Sequence, residues 1–162
     1  MILHPIPPVF DARSRVLILG SFPSVKSREA GFFYGHPQNR FWPLIAALTG
    51  EEVPRTVEKK RALLLSHGIA LWDVLAACDI TGSADSTIRN AVPNDLTPIL
   101  TATPTELVIT NGRTAHAYYK RYTYPLTRRE DVCLPSTSPA NAACSLSSLI
   151  DAWGTVLCPF LS

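Results

Sequence analysis

The segment FFYGHPQNRFW, residues 32–42, sets five aromatic rings, a His, a Pro and an Asn in eleven positions with one formal charge, on Arg40. Flat side chains beside an amide and an imidazole suit a planar heterocycle, whose faces stack on rings while its edge meets polar groups. Asn39 has no useful pKa, so its chemistry would consist of orienting water through its oxygen or donating through its nitrogen. Read locally, Asn39 is better explained as the cap of an amphipathic helix that Phe41 and Trp42 begin as core residues. His36 is a surface or core imidazole, with general-acid chemistry as the lesser option.

Three other segments carry candidate groups. In PSTSPAN (135–141), the hydroxyls and backbone amides of Ser136, Thr137 and Ser138 suit phosphate oxygens without charge; a Ser/Thr-rich turn into a helix capped by Asn141 explains them equally well. GSFPS (20–24) lacks the glycine spacing of a dinucleotide or Walker loop, so no nucleotide cofactor is expected. Ser21 there lacks the G-x-S-x-G of a nucleophile elbow, which leaves an esterase-like hydrolase as a minor alternative that a serine-reactive phosphonate would label. In TNGR (110–113), Asn111 precedes Gly112 and reads locally as a turn residue. Asp73 and Asp85 are alternatives for activating water, although ordering loops is the simpler role, and no paired carboxylates of the glycosidase kind stand out. Lys26 is the one amine beside these segments able to form a Schiff base, and nothing around it supports that.

Positioning these segments falls to short apolar runs that read as buried strands: VLILG (16–20), IALWDV (69–74), ELVIT (106–110) and DVCLP (131–135). Between them, helical periodicity covers Asn39 to Leu48, then Val57 to His67 with Thr56 as N-cap and Gly68 as stop. A turn or helix at 94–102, Thr114 to Arg121, and about Ala142 to Trp153 complete the set. The alternation implies an α/β protein with a parallel sheet covered on both faces. Open parallel sheets bind ligands beyond the carboxyl ends of their strands, which is where GSFPS, WDV running toward GSADS (82–86), TNGR and LPSTSPAN (134–141) fall. A shared pocket along one edge is the economical expectation.

The 162 residues suffice for about one domain, with residues 1–14 expected to run extended over the surface because HPIPPVFD holds three prolines in six residues. No apolar run approaches the ~18 residues of a membrane span, and nothing at the start resembles a secretion signal, so a cytoplasmic protein is expected, nucleoid-associated if bacterial. The four cysteines form no CxxC and sit beside apolar neighbours; buried free thiols are expected, with no metal and no iron–sulfur cluster. Net charge is only +2, but residues 113–129 carry five basic residues (Arg113, Lys120, Arg121, Arg128, Arg129) and no acid, interleaved with four tyrosines. That pattern suits a polyanion with stackable bases; a solvated helix face is the equally common alternative.

Taken in order, LILGSFPS, FFYGHPQNRFW, ALWDVLAACDITGSADSTIRN, VITNGR and LPSTSPAN resemble the uracil-DNA glycosylase superfamily, and within it family 6, the hypoxanthine-DNA (deoxyinosine) glycosylases. The resemblance spans about residues 7 to 153 and implies a single-domain, three-layer α/β/α fold around a four-stranded parallel sheet. The mismatch-specific branch of that superfamily has a water-positioning Asn in a G-x-N-P-G motif; here that position is Phe22, which holds no water. The resemblance moves the essential amide to Asn39. It also implies Phe22, Phe33 (or Phe32), Tyr34 and His36 around the base, and Asn111 reading the base edge. Ser136, Thr137 and Ser138 would pinch the DNA backbone, with Ser21, Ser86 and Arg113 as further DNA contacts, and Pro139, Ala140 and Asn141 would enter the gap left by the flipped base. The implied activity is hydrolytic removal of deaminated bases from DNA, hypoxanthine first, by a monomer without cofactor, metal or lyase activity. Two rivals remain: a uracil-directed glycosylase of the same fold, and a nucleic-acid-binding protein without chemistry, which would bind DNA in a salt-dependent way and leave no abasic product.

Overall fold

A computed structural model describes residues 1–162. In chain order the strands are β1 (Ile2–Leu3), β2 (Val16–Gly20), β3 (Ile69–Asp73), β4 (Leu75–Asp79), β5 (Arg89–Pro93), β6 (Leu107–Asn111) and β7 (Val132–Leu134). The α-helices are α1 (Val25–Ala30), α2 (Phe41–Thr49), α3 (Val57–Ser66), α4 (Thr97–Ala102), α5 (Arg113–Tyr118), α6 (Tyr124–Thr127) and α7 (Leu146–Leu157).

The four expected strands form one parallel sheet of order β3-β2-β6-β7, with Val16 paired to Ile69 on one side and to Leu107 on the other. Alternation along β2 divides the core in two. Val16 and Ile18 face a cluster with Phe41, Ile45, Leu64, Leu149 and Trp153 from α2, α3 and α7, whereas Leu17 and Leu19 face Leu96, Ile99 and Tyr119 on the opposite side. Helices thus cover both faces, and α2 and α7 pack on the same one.

Helix boundaries follow local chemistry. Helix α2 begins at Phe41 rather than Asn39, and Pro43 is tolerated in its first turn because an N–H there has no intrahelical partner. Thr56 caps α3 as expected, its hydroxyl accepting from the Lys59 N–H. Helix α7 starts at Leu146, four residues after the expected start, because residues 141–144 are held in a turn and Ser145 supplies the cap to Ser148 N–H. The predicted helix at 114–121 continues instead through a π turn (Tyr119–Thr123) into α6.

A second sheet was not foreseen. Chain leaving β3 passes Val74 and enters β4, which pairs antiparallel with β5 and with β1, so residues 2–3 belong to a sheet rather than crossing the surface as irregular chain. Ile6 and Val9 are buried as well, and Val9 bridges Leu71 on β3. The prolines of this stretch sit where the chain has no ladder to break, which is why they did not exclude its docking. Among the cysteines only Cys78 is buried; Cys133 and Cys158 are exposed, contrary to the expectation from their apolar neighbours. No helix is long and apolar enough to cross a membrane.

Candidate active site

The carboxyl ends of the four parallel strands and the aromatic segment enclose a cleft of about 390 Å³. Its wall takes Gly20 to Ser24 after β2, Asp73 at the end of β3, Ser83 to Asp85 beyond β4, Asn111 at the end of β6 and Ser136 to Ala140 after β7; Phe33, Tyr34, His36 and Asn39 close it. All the residues expected around a base therefore line one cavity. Of the expected DNA contacts, Ser86 and Arg113 stay exposed outside its lining, and Asn141 is not part of the lining either, its Nδ2 donating to the Ser136 carbonyl.

The aromatic residues divide by burial. Phe32 and Phe33 are 5% and 2% exposed, and Phe32 stacks on Trp42, whose indole N–H donates to the Phe33 carbonyl at 3.1 Å. Tyr34 stacks on Phe41 with centroids 4.2 Å apart and reaches the cleft floor from a left-handed backbone (φ 54°). Its hydroxyl is buried without a hydrogen-bond partner. Burial, and then the charge of Asp73, hold that phenol far above its ordinary pKa; Asn111 lies near enough to pull the other way, but not in hydrogen-bonding geometry. Tyr34 is thus a donor at every accessible pH.

Asn39 stands at both the start of α2 and the cleft wall. Its Oδ1 accepts from the Phe41 backbone N–H at 2.9 Å, a cap-like bond at the start of α2, so the amide orientation is fixed and Nδ2 is left without a partner in the protein. His36 behaves similarly: Nδ1 accepts from the Gln38 N–H at 3.0 Å, which assigns the ring proton to Nε2.

Three networks hold the walls. Arg28 donates to the carbonyls of Pro23 and Gly82, and Ser83 Oγ accepts from the Val25 N–H, tying the first motif to the loop after β4. Asn111 is joined to Thr137 at both ends of its amide, donating to Oγ1 and accepting from the backbone N–H, each at 3.0 Å. Gly112, at φ 98°, lets this contact close, since a Cβ there would lie 3.0 Å from Ser136 Cβ. The hydroxyls of Ser136 and Ser138 accept from the N–H groups of Ser138 and Ala140, leaving each O–H proton free to donate outward.

The third network was invisible in sequence. Arg40 sends its guanidinium to the carbonyls of Ser138 (2.9 Å), Asn141 (3.0 Å) and Cys144, while its backbone N–H donates to Thr137 O at 3.1 Å. The residue beside Asn39 thus clamps the whole loop from 137 to 144, its guanidinium reaching acceptors 98 to 104 residues away along the chain.

His4 was also missed. The Ile6 N–H donates to its Nδ1 at 3.2 Å, leaving Nε2–H to donate to Asp73 Oδ2 at 2.7 Å, with both side chains 4% exposed. Phe22, Phe33 and Trp72 surround the ring at centroid distances of 5.8 to 6.1 Å. At the cleft mouth, Ser21 Oγ donates to Asp85 Oδ1 at 3.0 Å. Asp85 is exposed as a residue, but its carboxyl reaches into the cleft, where burial raises its pKa, Ser21 and Thr114 oppose the rise, and Asp73 adds to it.

Comparison with known proteins agrees with this arrangement. The family model described as the uracil DNA glycosylase superfamily matches residues 7–153. A protein named hypoxanthine DNA glycosylase from Methanosarcina acetivorans is 38% identical over 146 residues, covering 87% of this chain and 89% of that protein. Its namesake from Methanosarcina barkeri is 34% identical over 152 residues, covering 91% and 92%. A solution NMR structure of a candidate uracil DNA glycosylase from Methanosarcina acetivorans superposes with a TM-score of 0.84 at 34% identity over 99% of both chains. With the sheet order, the motif-lined cleft and near-complete coverage in agreement, the chain belongs to the uracil DNA glycosylase superfamily.

Proposed function

We propose that this protein is a monofunctional DNA glycosylase that flips a deaminated base out of the duplex and hydrolyses its N-glycosidic bond, with hypoxanthine as the preferred base. The observation that carries the reading is Asn39: its oxygen is tied to the start of α2 and its amide N–H₂ has no protein partner in a cleft walled by aromatic and hydroxyl side chains. Both Methanosarcina relatives bear the name hypoxanthine DNA glycosylase, which supports the substrate.

Cleavage of the bond builds positive charge on the sugar and negative charge on the departing base. Fixed donors aimed at that base stabilise the negative charge without reorganising during the reaction. Asn39 Nδ2–H and His36 Nε2–H are the available donors on one wall, and the hydroxyl protons of Ser136 and Ser138 suit phosphate oxygens. Water completes the reaction at C1′, giving an abasic site and free base. Asn111, engaged with Thr137, retains one Nδ2 hydrogen for the base.

The test is a single-turnover assay at enzyme excess on end-labelled duplexes carrying one deoxyinosine, one deoxyuridine or no lesion, comparing wild type with Asn39→Ala and revealing abasic sites by alkali. Deoxyinosine cleavage that falls by about 100-fold or more in the variant is expected, on the scale of removing one transition-state donor. Cleavage of deoxyuridine alone would reassign the substrate. Salt-dependent binding with no abasic product from folded wild type would overturn the enzymatic reading.

A further inference from the structure

Two groups on the cleft floor have hydrogen-bonding capacity that the protein leaves unused. Tyr34 holds a buried hydroxyl with no partner, and Asp73 Oδ1 accepts from no protein group, its other oxygen being taken by His4. Both sit around one point. A Cβ built on Gly20 would lie 2.4 Å from Asp73 Oδ1 and 3.0 Å from the Tyr34 hydroxyl, so an acceptor and a donor flank the only residue type that leaves the floor open there. Register reinforces this, because Gly20 pairs with Asp73 across β2 and β3.

A buried hydroxyl without a partner is costly unless a ligand supplies one, and Asp73 Oδ1, which has no protein donor, belongs to the same cleft wall, so the pair specifies what the ligand must present. The match is an N–H beside a C=O, the edge of a lactam. Deamination creates that edge: adenine shows a ring-nitrogen acceptor beside an amino donor, and hypoxanthine shows N1–H beside the O6 carbonyl. Against adenine, Asp73 Oδ1 would meet the N1 lone pair and Tyr34 would meet an amino hydrogen, a mismatch at both atoms.

We infer that Tyr34 and Asp73 read the lactam edge of the flipped base, Tyr34 donating to the carbonyl and Asp73 Oδ1 accepting the ring N–H, with His4 as the positioning residue that fixes the carboxylate. The inference rests on the glycosylase reading above and narrows its substrate class to bases carrying a lactam, so that normal adenine is refused by the same two atoms that accept its deaminated product. His4 contributes through tautomer: Ile6 N–H on Nδ1 leaves only Nε2–H for Asp73 Oδ2 and directs the free acceptor to the cleft.

The experiment measures binding apart from chemistry. Affinities are compared for duplexes carrying an uncleavable 2′-fluoroarabino analogue of inosine or of nebularine, the purine lacking both O6 and N1–H. Wild type should prefer the inosine analogue. The preference should shrink about tenfold in Tyr34→Phe and about 100-fold in Asp73→Asn, as expected for losing a neutral and a charged hydrogen bond. His4→Ala should also reduce it, and His4→Gln, whose amide can donate to Oδ2, should restore it. A purely structural role would weaken both analogues equally and leave the ratio at the wild-type value, which overturns the inference. Tyr34→Phe keeps the ring on Phe41, so it decides the matter even if Asp73→Asn unfolds. Deoxyinosine cleavage by wild type is scored alongside: no cleavage refutes the glycosylase reading, whereas cleavage with an unchanged ratio refutes only the edge reading.

Discussion

Arg40 offers the sharpest test of how the cleft is held together. Arg40→Met keeps an unbranched side chain but removes the donors to three carbonyls of the 137–144 loop. Hydrogen bonds to charged groups contribute roughly 1.5–3 kcal/mol each, but these share one guanidinium and their acceptors regain some water, so a net loss of about 2–4 kcal/mol is expected. Because Ser138 and Pro139 ride on that loop, its loosening should also weaken DNA binding, by about 10- to 100-fold. Urea denaturation reads the first effect, and titration of a lesion duplex under single-turnover conditions reads the second, as a higher half-saturating concentration with a lower limiting rate. Arg40→Lys separates the explanations. Lysine preserves the charge but not the planar fork, so it should recover little stability. Full recovery of stability and affinity by lysine would refute the clamp and recast Arg40 as a point charge toward phosphate.

Gly20→Ala should abolish measurable deoxyinosine excision and lower stability by about 1–3 kcal/mol, since the new Cβ meets Asp73 Oδ1 at 2.4 Å; excision assays and thermal denaturation check both effects. Asp85 carries a raised pKa caused first by burial, so the folded state favours its protonated form. Its favourable contribution is present below the ordinary carboxylate range and is lost as pH rises through the raised value. Asp85→Asn should accordingly raise the melting temperature at pH 8 and change it little near pH 3, and melting curves across that range would show it. Arg113→Ala, at an exposed position outside the cleft, should reduce the slope of log affinity against log salt by about one without altering inosine-over-nebularine selectivity; an unchanged slope would remove Arg113 from the DNA surface.

The parallel sheet was legible because its strands are buried on both faces and read as continuous apolar runs, as in VLILG, where every residue is buried. The antiparallel sheet was not, because β5 (RNAVP) is largely exposed, ends in Pro93 and has no alternation, and because β1 has only two residues. Candidate site residues carried by loops beyond strand ends could be located through topology alone. His4 and Arg40 could not. His4 meets Asp73 across 69 residues, and nothing in HPIPPVFD distinguishes a buried, tautomer-fixed imidazole from an exposed one. Arg40 reads as the lone charge in an aromatic segment, and its function lies in carbonyls, which every residue possesses. Asn39 posed a choice between cap and reagent that sequence treats as exclusive, whereas an amide has two ends and the protein occupies only one of them.

The passage of β3 into β4 at Val74 gives the chain a temporal asymmetry. During synthesis residues 2–9 leave the ribosome before Leu71, Asp73 and Cys78, which receive them, and α1 to α3 are made in between. The loops after β6 and β7, proposed above to hold DNA, need neither β1 nor His4 for their own hydrogen bonds. A molecule with β1 undocked would therefore keep those loops formed but lack the imidazole that holds Asp73. If Asp73 reads the base edge as inferred above, docking of that segment completes the discrimination between bases, through a contact that spans 69 residues.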